Sequence, residues 1–330
     1  MPNVAPAGTE RAYSGGGRQP VPEHLPFRLV DAFAEQPYTG NPAGVVFGAD
    51  ALNDRQMQAI AREINASETA FISRTNDLHA PPRLRWFTPT AEVGFCGHAT
   101  LAAAHVWAEL LELRDQVARG EVNLEFATAA GTLTLRPERV PERDDGLLWW
   151  LAMPDPQLRA EKLNPVRVAR PLGLRIDDLE PAAPLMRTRD GDLILLISSW
   201  QRLTELRPDF PALIRLSKRQ RVRGFCVATR DTPSDFVQVV SRFFAPAVGV
   251  PEDPVTGSVH GPLAVLLTIH GLVPTVRGRA ALNCLQGQPG GRTGLVRALV
   301  AATADGYHAS VGGMCQTTAC GELRIPPPTG

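Results

Sequence analysis

The chain has 330 residues, of which 44% are hydrophobic and 21% are charged, so it holds enough apolar material for about two globular domains. Its formal net charge is zero, which argues against a nucleic-acid or acidic-membrane partner. Lysine occurs only at positions 162 and 218, and neither lies in a Gly-Lys-Ser/Thr triplet, which argues against a P-loop NTPase or a pyridoxal enzyme.

Residues 1–25 are rich in Gly, Pro and Ala and lack the basic and apolar regions of a secretory signal. We predict that they form a mobile tail. The five cysteines form no CxxC pair and are odd in number, which indicates a reducing, cytoplasmic compartment. The apolar runs fall far short of the roughly 20 residues that a membrane helix needs, so no membrane association is expected.

Strand-like runs dominate the rest of the chain, and one amphipathic helix is predicted over Asp54–Ile64. The strands predicted in the first half are residues 27–33, 44–47, 69–73, 84–87 and 133–135. Those predicted in the second half are residues 147–153, 193–198, 224–228, 236–243 and 295–302. This pattern indicates the α+β class.

Two segments of the chain resemble each other. Residues 85–106 contain an aromatic strand that ends in proline, a glycine-bearing loop, and Gly97-His98 before a nearly all-apolar helix. Residues 242–266 repeat this order, with Gly257-Ser258 before the second apolar helix. Since a helix that is apolar all round is buried, each half is predicted to wrap a strand-rich layer around one central helix.

The two helix starts are candidate binding sites. A helix N-terminus presents unpaired N–H groups and a partial positive charge, which favour a carboxylate ligand. The glycines at 97 and 257 would let that ligand approach the backbone closely. Each pair taken alone also reads as an ordinary helix cap. Their repetition at equivalent points favours binding in one cleft between the halves.

Glu68 is the candidate acid/base, because it lies between a helix end and an apolar strand. Partial burial there would raise its pKa from about 4.3 toward the 6–7 that suits proton transfer, although a solvated or capping glutamate is the alternative. Asp253 precedes the second helix and would bind either a polar group of the substrate or the amides of its own loop. His98 is the histidine candidate, whereas His105 lies deep in the apolar helix and reads as a hydrogen-bonded core residue.

No metal or cofactor is predicted. His98 and His105 lie about 10 Å apart along one helix, which is too far to share a metal ion. The glycine-rich run at residues 287–294 lacks the GxGxxG spacing and indicates a tight turn rather than a phosphate loop.

The order of these motifs resembles the PhzF family, the phenazine-biosynthesis isomerase-like proteins of the diaminopimelate-epimerase-like fold. The resemblance is colinear over roughly residues 27–325. The matching motifs are Val30-Asp31-Ala32-Phe33, Gly40-Asn41-Pro42-Ala43, Asn65-x-Ser67-Glu68-Thr69-Ala70-Phe71, Phe87-Thr88-Pro89, Cys96-Gly97-His98-Ala99-Thr100, Glu252-Asp253-Pro254-x-Thr256-Gly257-Ser258, Gln286-Gly287 with Gly291-Arg-x-Gly294, and Val311-Gly312-Gly313.

The resemblance implies two pseudo-symmetric barrel-like halves, each a strongly curved, mostly antiparallel sheet around a central helix, with the site in the cleft between them. The expected division is residues 26–140 plus 317–330 for the first domain and 147–316 for the second. A cofactor-independent homodimer is implied. Glu68 would be the catalytic acid/base. The residues expected to contact a small carboxylate substrate are Gly97, His98, Asp253, Gly257 and Ser258.

The reaction type depends on one comparison. Racemases and epimerases of this fold use two thiols, one at each helix start, whereas this chain has Cys96 at the first position and Thr256 at the second. A neutral threonine is a poor acid or base, so an isomerase that shifts a proton with one base is favoured. The alternatives are a two-base amino-acid or hydroxy-acid epimerase that uses Cys96, and a catalytically silent binding protein of the same fold.

Overall fold

The computed structural model describes residues 23–74, 77, 80–141 and 146–327. Residues 1–22 of the predicted tail therefore lie outside the described residues, and the first strand begins at His24. None of the described helices is long and apolar enough to cross a membrane. All five cysteines are free thiols, as their spacing predicts.

Runs of strands are separated by a few helices along the described chain, as in the α+β class. The strands are β1 (His24–Ala32), β2 (Asn41–Phe47), β3 (Glu68–Ser73), β4 (Arg83–Phe87), β5 (Glu92–Val93), β6 (Leu124–Thr128), β7 (Gly131–Arg139), β8 (Leu147–Ala152), β9 (Arg159–Ala160), β10 (Met186–Arg187), β11 (Leu193–Leu196), β12 (Phe225–Thr229), β13 (Val239–Ala245), β14 (Val250–Asp253), β15 (Arg279–Gly287), β16 (Thr293–Thr303) and β17 (Gly306–Arg324). The α-helices are α1 (Asp54–Ile64), α2 (Gly97–Leu110), α3 (Arg114–Ala118), α4 (Pro165–Ala169), α5 (Trp200–Thr204), α6 (Phe210–Gln220) and α7 (Gly257–Ile269).

Every predicted strand overlaps an observed one, and the predicted bounds of α1 are confirmed. The prediction omitted the strands β5, β6, β9, β10, β14, β15 and β17 and the helices α3, α4, α5 and α6. β15 contains Arg279, Asn283 and three alanines or cysteines in place of a β-branched pattern, so its strand signal is weak. The glycine-rich run at residues 287–294 forms the turn between β15 and β16, with Gly287 opposite Thr293, as expected.

Helix α1 leads the chain to the candidate acid/base. Asn53 and Gln56 form a capping box at its start, because each side chain accepts a hydrogen bond from the backbone N–H of the other. Asn65 ends the helix in the left-handed conformation at φ 53°. Helix α1 buries Met57 and ends at Ile64. Three residues separate it from β3, whose first residue is Glu68.

The first half closes on itself. Its strands pair in the order β1–β2–β3–β4–β6–β7–β8–β17, and β17 returns to pair with β1. Helix α2 lies inside this ring, against β1, β2, β3, β8 and β17. Its residues 98–108 are all buried, as expected for a helix that is apolar all round.

The second half repeats these pairings. β11 is parallel to β12 as β2 is to β3, and β12 is antiparallel to β13 as β3 is to β4. β13 is parallel to β15 as β4 is to β6. β15 is antiparallel to β16 as β6 is to β7. Helix α7 packs against β15, β16 and β17. The predicted pseudo-symmetric fold is confirmed.

The last strand belongs to both halves. Residues 306–312 of β17 pair with β16, residues 310–314 pair with β8, and residues 315–324 pair with β1. Strand β8 in turn lies between β7 and β17, so strand pairing is continuous across residue 147. The domain boundaries given above stay a prediction.

Candidate active site

The two helix starts open on one cleft of about 820 Å³. All six residues that the sequence nominated line it: Glu68, Gly97, His98, Asp253, Gly257 and Ser258. Cys96 and Thr256 also line it, one at each helix start. The cleft therefore brings together residues from both halves of the chain.

The two helices begin in equivalent ways. Cys96 and Thr256 are the N-cap residues, both extended, with φ −146° and −110°, and neither side chain caps the helix by a hydrogen bond. The first N–H groups of α2 and α7 are thus left for a ligand to bind, which is the property predicted for these termini. The glycines differ, since a Cβ on Gly257 would lie 2.7 Å from Phe33 Cζ, whereas one on Gly97 would meet nothing closer than 4.0 Å.

Glu68 places its carboxyl group in the cleft at the first helix start. Its side chain is 21% exposed, and Oε2 lies 3.2 Å from His98 Nε2. Burial raises the pKa of Glu68 above its ordinary value, and a hydrogen bond with the Cys96 thiol offsets only part of that rise. The result is a carboxyl group whose pKa has moved toward neutral pH, as the sequence predicts.

His98 is a neutral histidine with one free ring nitrogen. Burial lowers its pKa to about 4. Nδ1 lies 3.4 Å from Cys96 Sγ, whereas Nε2 forms no hydrogen bond with Glu68 despite the 3.2 Å separation. Nε2 therefore has no hydrogen-bond partner among the described residues, although it is buried. A buried polar atom without a partner, at the wall of a cleft, suits a ligand.

Cys96 is a protonated thiol at neutral pH. Burial raises its pKa well above the ordinary value, and the nearby charges of Glu68 and Asp253 raise it further. Donor atoms of Glu68, Cys96 and His98 lie within 4.8 Å of one another, the one group among the described residues that could hold a metal ion. The Cys96 thiol would have to lose its proton to bind a metal ion.

Asp253 is held at the second helix start by three side chains. Oδ1 accepts a hydrogen bond from Asn41 Nδ2 at 2.8 Å, and Oδ2 accepts one from Thr256 Oγ1 at 2.5 Å. Gln286 Nε2 donates to the Asp253 carbonyl at 2.8 Å. Burial is the main reason why the pKa of Asp253 rises to about 6, while His98 acts to lower it. The Asp253 carboxylate thus accepts hydrogen bonds from two side chains, and its contact with a substrate stays a prediction.

Ser258 is paired with a residue that the sequence did not single out. Its Oγ accepts a hydrogen bond from Arg223 Nη2 at 3.2 Å, and Arg223 also lines the cleft. Asn41 and Gln286 lie in two of the motifs that carry the family resemblance, but the sequence alone does not indicate their contacts with Asp253. His105 lies elsewhere, with Nε2 3.2 Å from Thr317 Oγ1, which agrees with a hydrogen-bonded core histidine.

Comparison with known proteins gives a consistent picture. The family model of phenazine biosynthesis-like proteins, PhzC-PhzF, matches residues 30–318. An uncharacterized isomerase of Pseudomonas aeruginosa is 45% identical over 237 residues, covering 72% of this chain and 78% of the relative.

Solved structures extend the likeness to the fold. A PhzF-family phenazine biosynthesis protein from Bacillus anthracis superposes with a TM-score of 0.78 at 23% identity, over 92% of this chain and 99% of that one. A predicted epimerase from Pseudomonas aeruginosa gives a TM-score of 0.69 at 25% identity, over 92% of this chain and 100% of that one. The architecture described above is therefore that of the PhzF structures.

Proposed function

Because the chain belongs to the PhzF family of phenazine biosynthesis-like isomerases, we propose that it moves a proton on a small carboxylate-bearing molecule, with Glu68 as the general acid and base. The observation that carries this proposal is the Glu68 carboxyl itself. It is largely buried in the cleft, its pKa is raised, and it lies beside the unpartnered Nε2 of His98.

The raised pKa matters because a proton carrier works best when its pKa lies near the operating pH. An ordinary exposed glutamate is a weak base at neutral pH, and its protonated form is scarce. Desolvation strengthens the Glu68 carboxylate as a base and makes its protonated form available for the return step. A carboxyl group with this perturbation in a cleft is a candidate catalytic group on physical grounds.

The proposed reaction uses one base twice. The Glu68 carboxylate takes a proton from a carbon of the substrate, and the electron pair left behind is delocalised toward the substrate's carboxylate or double bond. The Glu68 carboxyl group then gives the proton to a different carbon on the same face, so a double bond shifts and no redox partner is needed. The N–H groups at the two helix starts would hold the anionic intermediate.

A two-base epimerase is the runner-up, and two observations weigh against it. A proton that leaves one face and arrives on the other needs a second acid/base group. The Cys96 thiol is held protonated by its raised pKa, and the equivalent residue is Thr256, whose hydroxyl donates to Asp253. The one-base isomerase needs neither of these residues to ionise.

The test is deuterium incorporation in deuterated water, followed by mass spectrometry, for a panel of small cyclic and amino-acid carboxylates. Wild type, Glu68→Gln and Cys96→Ala are compared, with Glu63→Gln as the matched control because Glu63 is an exposed glutamate of α1. We expect exchange to be lost in Glu68→Gln and kept in Glu63→Gln and Cys96→Ala.

Two other results would redirect the assignment. Exchange lost in Cys96→Ala but kept in Glu68→Gln would favour the thiol-based epimerase. No exchange with any compound of the panel would favour a binding protein that retains the fold without turnover. The family resemblance also leads us to propose a cytoplasmic homodimer. Light scattering of the purified chain would test the dimer.

A further inference from the structure

Arg223 is held in place by an unusually buried partner. Its Nε donates to Asp192 Oδ1 at 2.8 Å, and its Nη2 donates to Asp192 Oδ2. Asp192 is 1% exposed. Asp192 directly precedes β11, Arg223 lies two residues before β12, and the two strands pair in parallel register with Leu193 opposite Phe225. Parallel pairing thus places the two side chains together and fixes the guanidinium plane through a bidentate ion pair.

The other edge of the guanidinium is available in the cleft. The Arg223 side chain is 38% exposed, and Nη1 makes no hydrogen bond to any residue that the structure describes. Nη2 also donates to Ser258 Oγ, so the hydroxyl proton of Ser258 remains free to donate to a ligand. Arg223 and Ser258 together offer donors to one point beside the second helix start.

The acidic side chains that line the cleft would repel a carboxylate ligand unless a cation such as Arg223 were present. Three of the described lining residues are acidic, namely Glu68, Asp190 and Asp253, and Arg223 is the only lysine or arginine among them. A carboxylate that entered this partly desolvated space without a cation would be repelled by these groups. His98 offers no positive charge, because its pKa is lowered to about 4.

Apolar side chains surround the same donors. The Arg223 Cζ lies 6.0 Å from the centre of the Phe243 ring, which also lines the cleft. Phe95, Val248 and Val250 line it as well, and each is a large hydrophobic side chain that remains exposed. An apolar rim next to one fixed cation suits a molecule with an apolar body and a single carboxylate.

We propose that Arg223, supported by Ser258, binds the carboxylate of the substrate at the start of α7, while proton transfer takes place at the other helix start beside Glu68. This inference rests on the proposed function. It narrows the substrate class to a carboxylate with an apolar body. It also sets the orientation of the substrate in the cleft, with the carboxylate toward the second half of the chain. Asp192 acts as a positioning residue, because it holds the guanidinium without contacting the ligand.

The test uses 2-aminobenzoate and its neutral analogue 2-aminobenzamide as probes, and isothermal titration calorimetry on the purified chain. The two probes have nearly the same shape and differ in charge. We expect wild type to prefer the carboxylate by about tenfold or more, as expected for charge-assisted hydrogen bonds. Arg223→Gln removes that preference and leaves the affinity for the amide within a few-fold. Arg136→Gln is the control, because Arg136 forms an exposed ion pair with Glu138 outside the cleft.

Each outcome decides the matter. The proposal would be overturned if Arg223→Gln kept the preference for the carboxylate. It would also be overturned if wild type bound neither probe, or if wild type preferred the amide. Circular dichroism checks the fold, and where Arg223→Gln unfolds, Arg223→Lys decides. Lysine keeps the charge but lacks the planar fork, so the preference is expected to fall, and an unchanged preference contradicts the proposal. The readout is equilibrium binding without turnover, so its failure and the failure of the Glu68 exchange test are separate results.

Discussion

Asn41 Nδ2 donates a hydrogen bond to Asp253 Oδ1 at 2.8 Å, although 212 residues separate the two in the chain. The same amide nitrogen donates to the Val255 carbonyl at 2.8 Å, and Asn41 Oδ1 accepts from Ser67 Oγ at 3.1 Å. Asn41 is fully buried at the start of β2. One amide side chain therefore connects the residue before Glu68 with the start of the second helix.

Replacement of Asn41 by alanine should leave the Val255 carbonyl and one oxygen of Asp253 without this donor. We expect the free energy of unfolding to fall by about 1–3 kcal/mol, the usual cost of a buried polar group that loses its partner. Urea unfolding measures the change. Ser67→Ala is the control, since it removes a single hydrogen bond of the same network and should cost less. An Asn41→Ala variant as stable as wild type would contradict this account.

The pH dependence of stability should separate Asp253 from His98. The pKa of Asp253 is about 6 in the folded chain and near 3.8 in the unfolded one, so between these values only the folded state holds the proton. Rising pH then lowers the free energy of unfolding. The pKa of His98 is about 4 when folded and near 6.5 when unfolded, so its contribution has the opposite sign and rising pH raises the free energy of unfolding.

Single variants should expose these opposed slopes. Between about pH 4 and 6, the stability of Asp253→Asn relative to wild type should rise by about 1.4 kcal/mol per pH unit, because the falling contribution has been removed. For His98→Asn the relative stability should fall over the same interval. Urea unfolding at several pH values in this range gives both slopes, and equal slopes in all three proteins would disprove the assignment.

Cys96 should tune Glu68 rather than replace it. The hydrogen bond from the Cys96 thiol lowers the pKa of Glu68, so its removal in Cys96→Ala should raise that pKa further. A base with a higher pKa is deprotonated only at higher pH. The rising limb of the pH–rate profile for deuterium exchange should therefore shift to higher pH. Cys96→Ser keeps a donor and should stay nearer to wild type. A profile that does not move in Cys96→Ala would show that the thiol has no such effect.

The two helix-start glycines should differ in their tolerance of a methyl group. Gly257→Ala brings a Cβ to 2.7 Å from Phe33 Cζ, and Phe33 is fully buried. We expect a loss of about 1–3 kcal/mol in the free energy of unfolding from this overpacking. Gly97→Ala is the matched control, since its Cβ would lie 4.0 Å from the nearest atom, Phe95 Cε1. Thermal unfolding distinguishes the two variants. Addition of Phe33→Leu should recover part of the loss, and its failure to do so would locate the strain elsewhere.

The sequence predicts those parts of the site that depend on local structure. Gly97 and Gly257 each precede an apolar helix, so their place at a buried helix start follows from neighbouring residues. Glu68 follows the capped and terminated helix α1, so its partial burial at a strand start is also a local property.

Arg223 could not be found in this way. Its position depends on the parallel register of β11 and β12, and nothing in the residues around it signals the distant Asp192. The same limit explains the omission of β15, whose residues alternate in burial without a strong β-branched pattern. Long-range pairing, which local propensity does not encode, decides both cases.

The continuity of β17 has a consequence for how a ligand reaches the cleft. A hinge that separated the two halves would have to break hydrogen bonds along a strand that pairs in succession with β16, β8 and β1. Such a strand is shared by both halves, and its continuous pairing opposes a change in the distance between the starts of α2 and α7. Entry and release of a ligand would then depend on the short segments that line the cleft, residues 88–90 and 248–251. Variation of these short segments among relatives would change which molecules are admitted while the proton-transfer geometry stays the same.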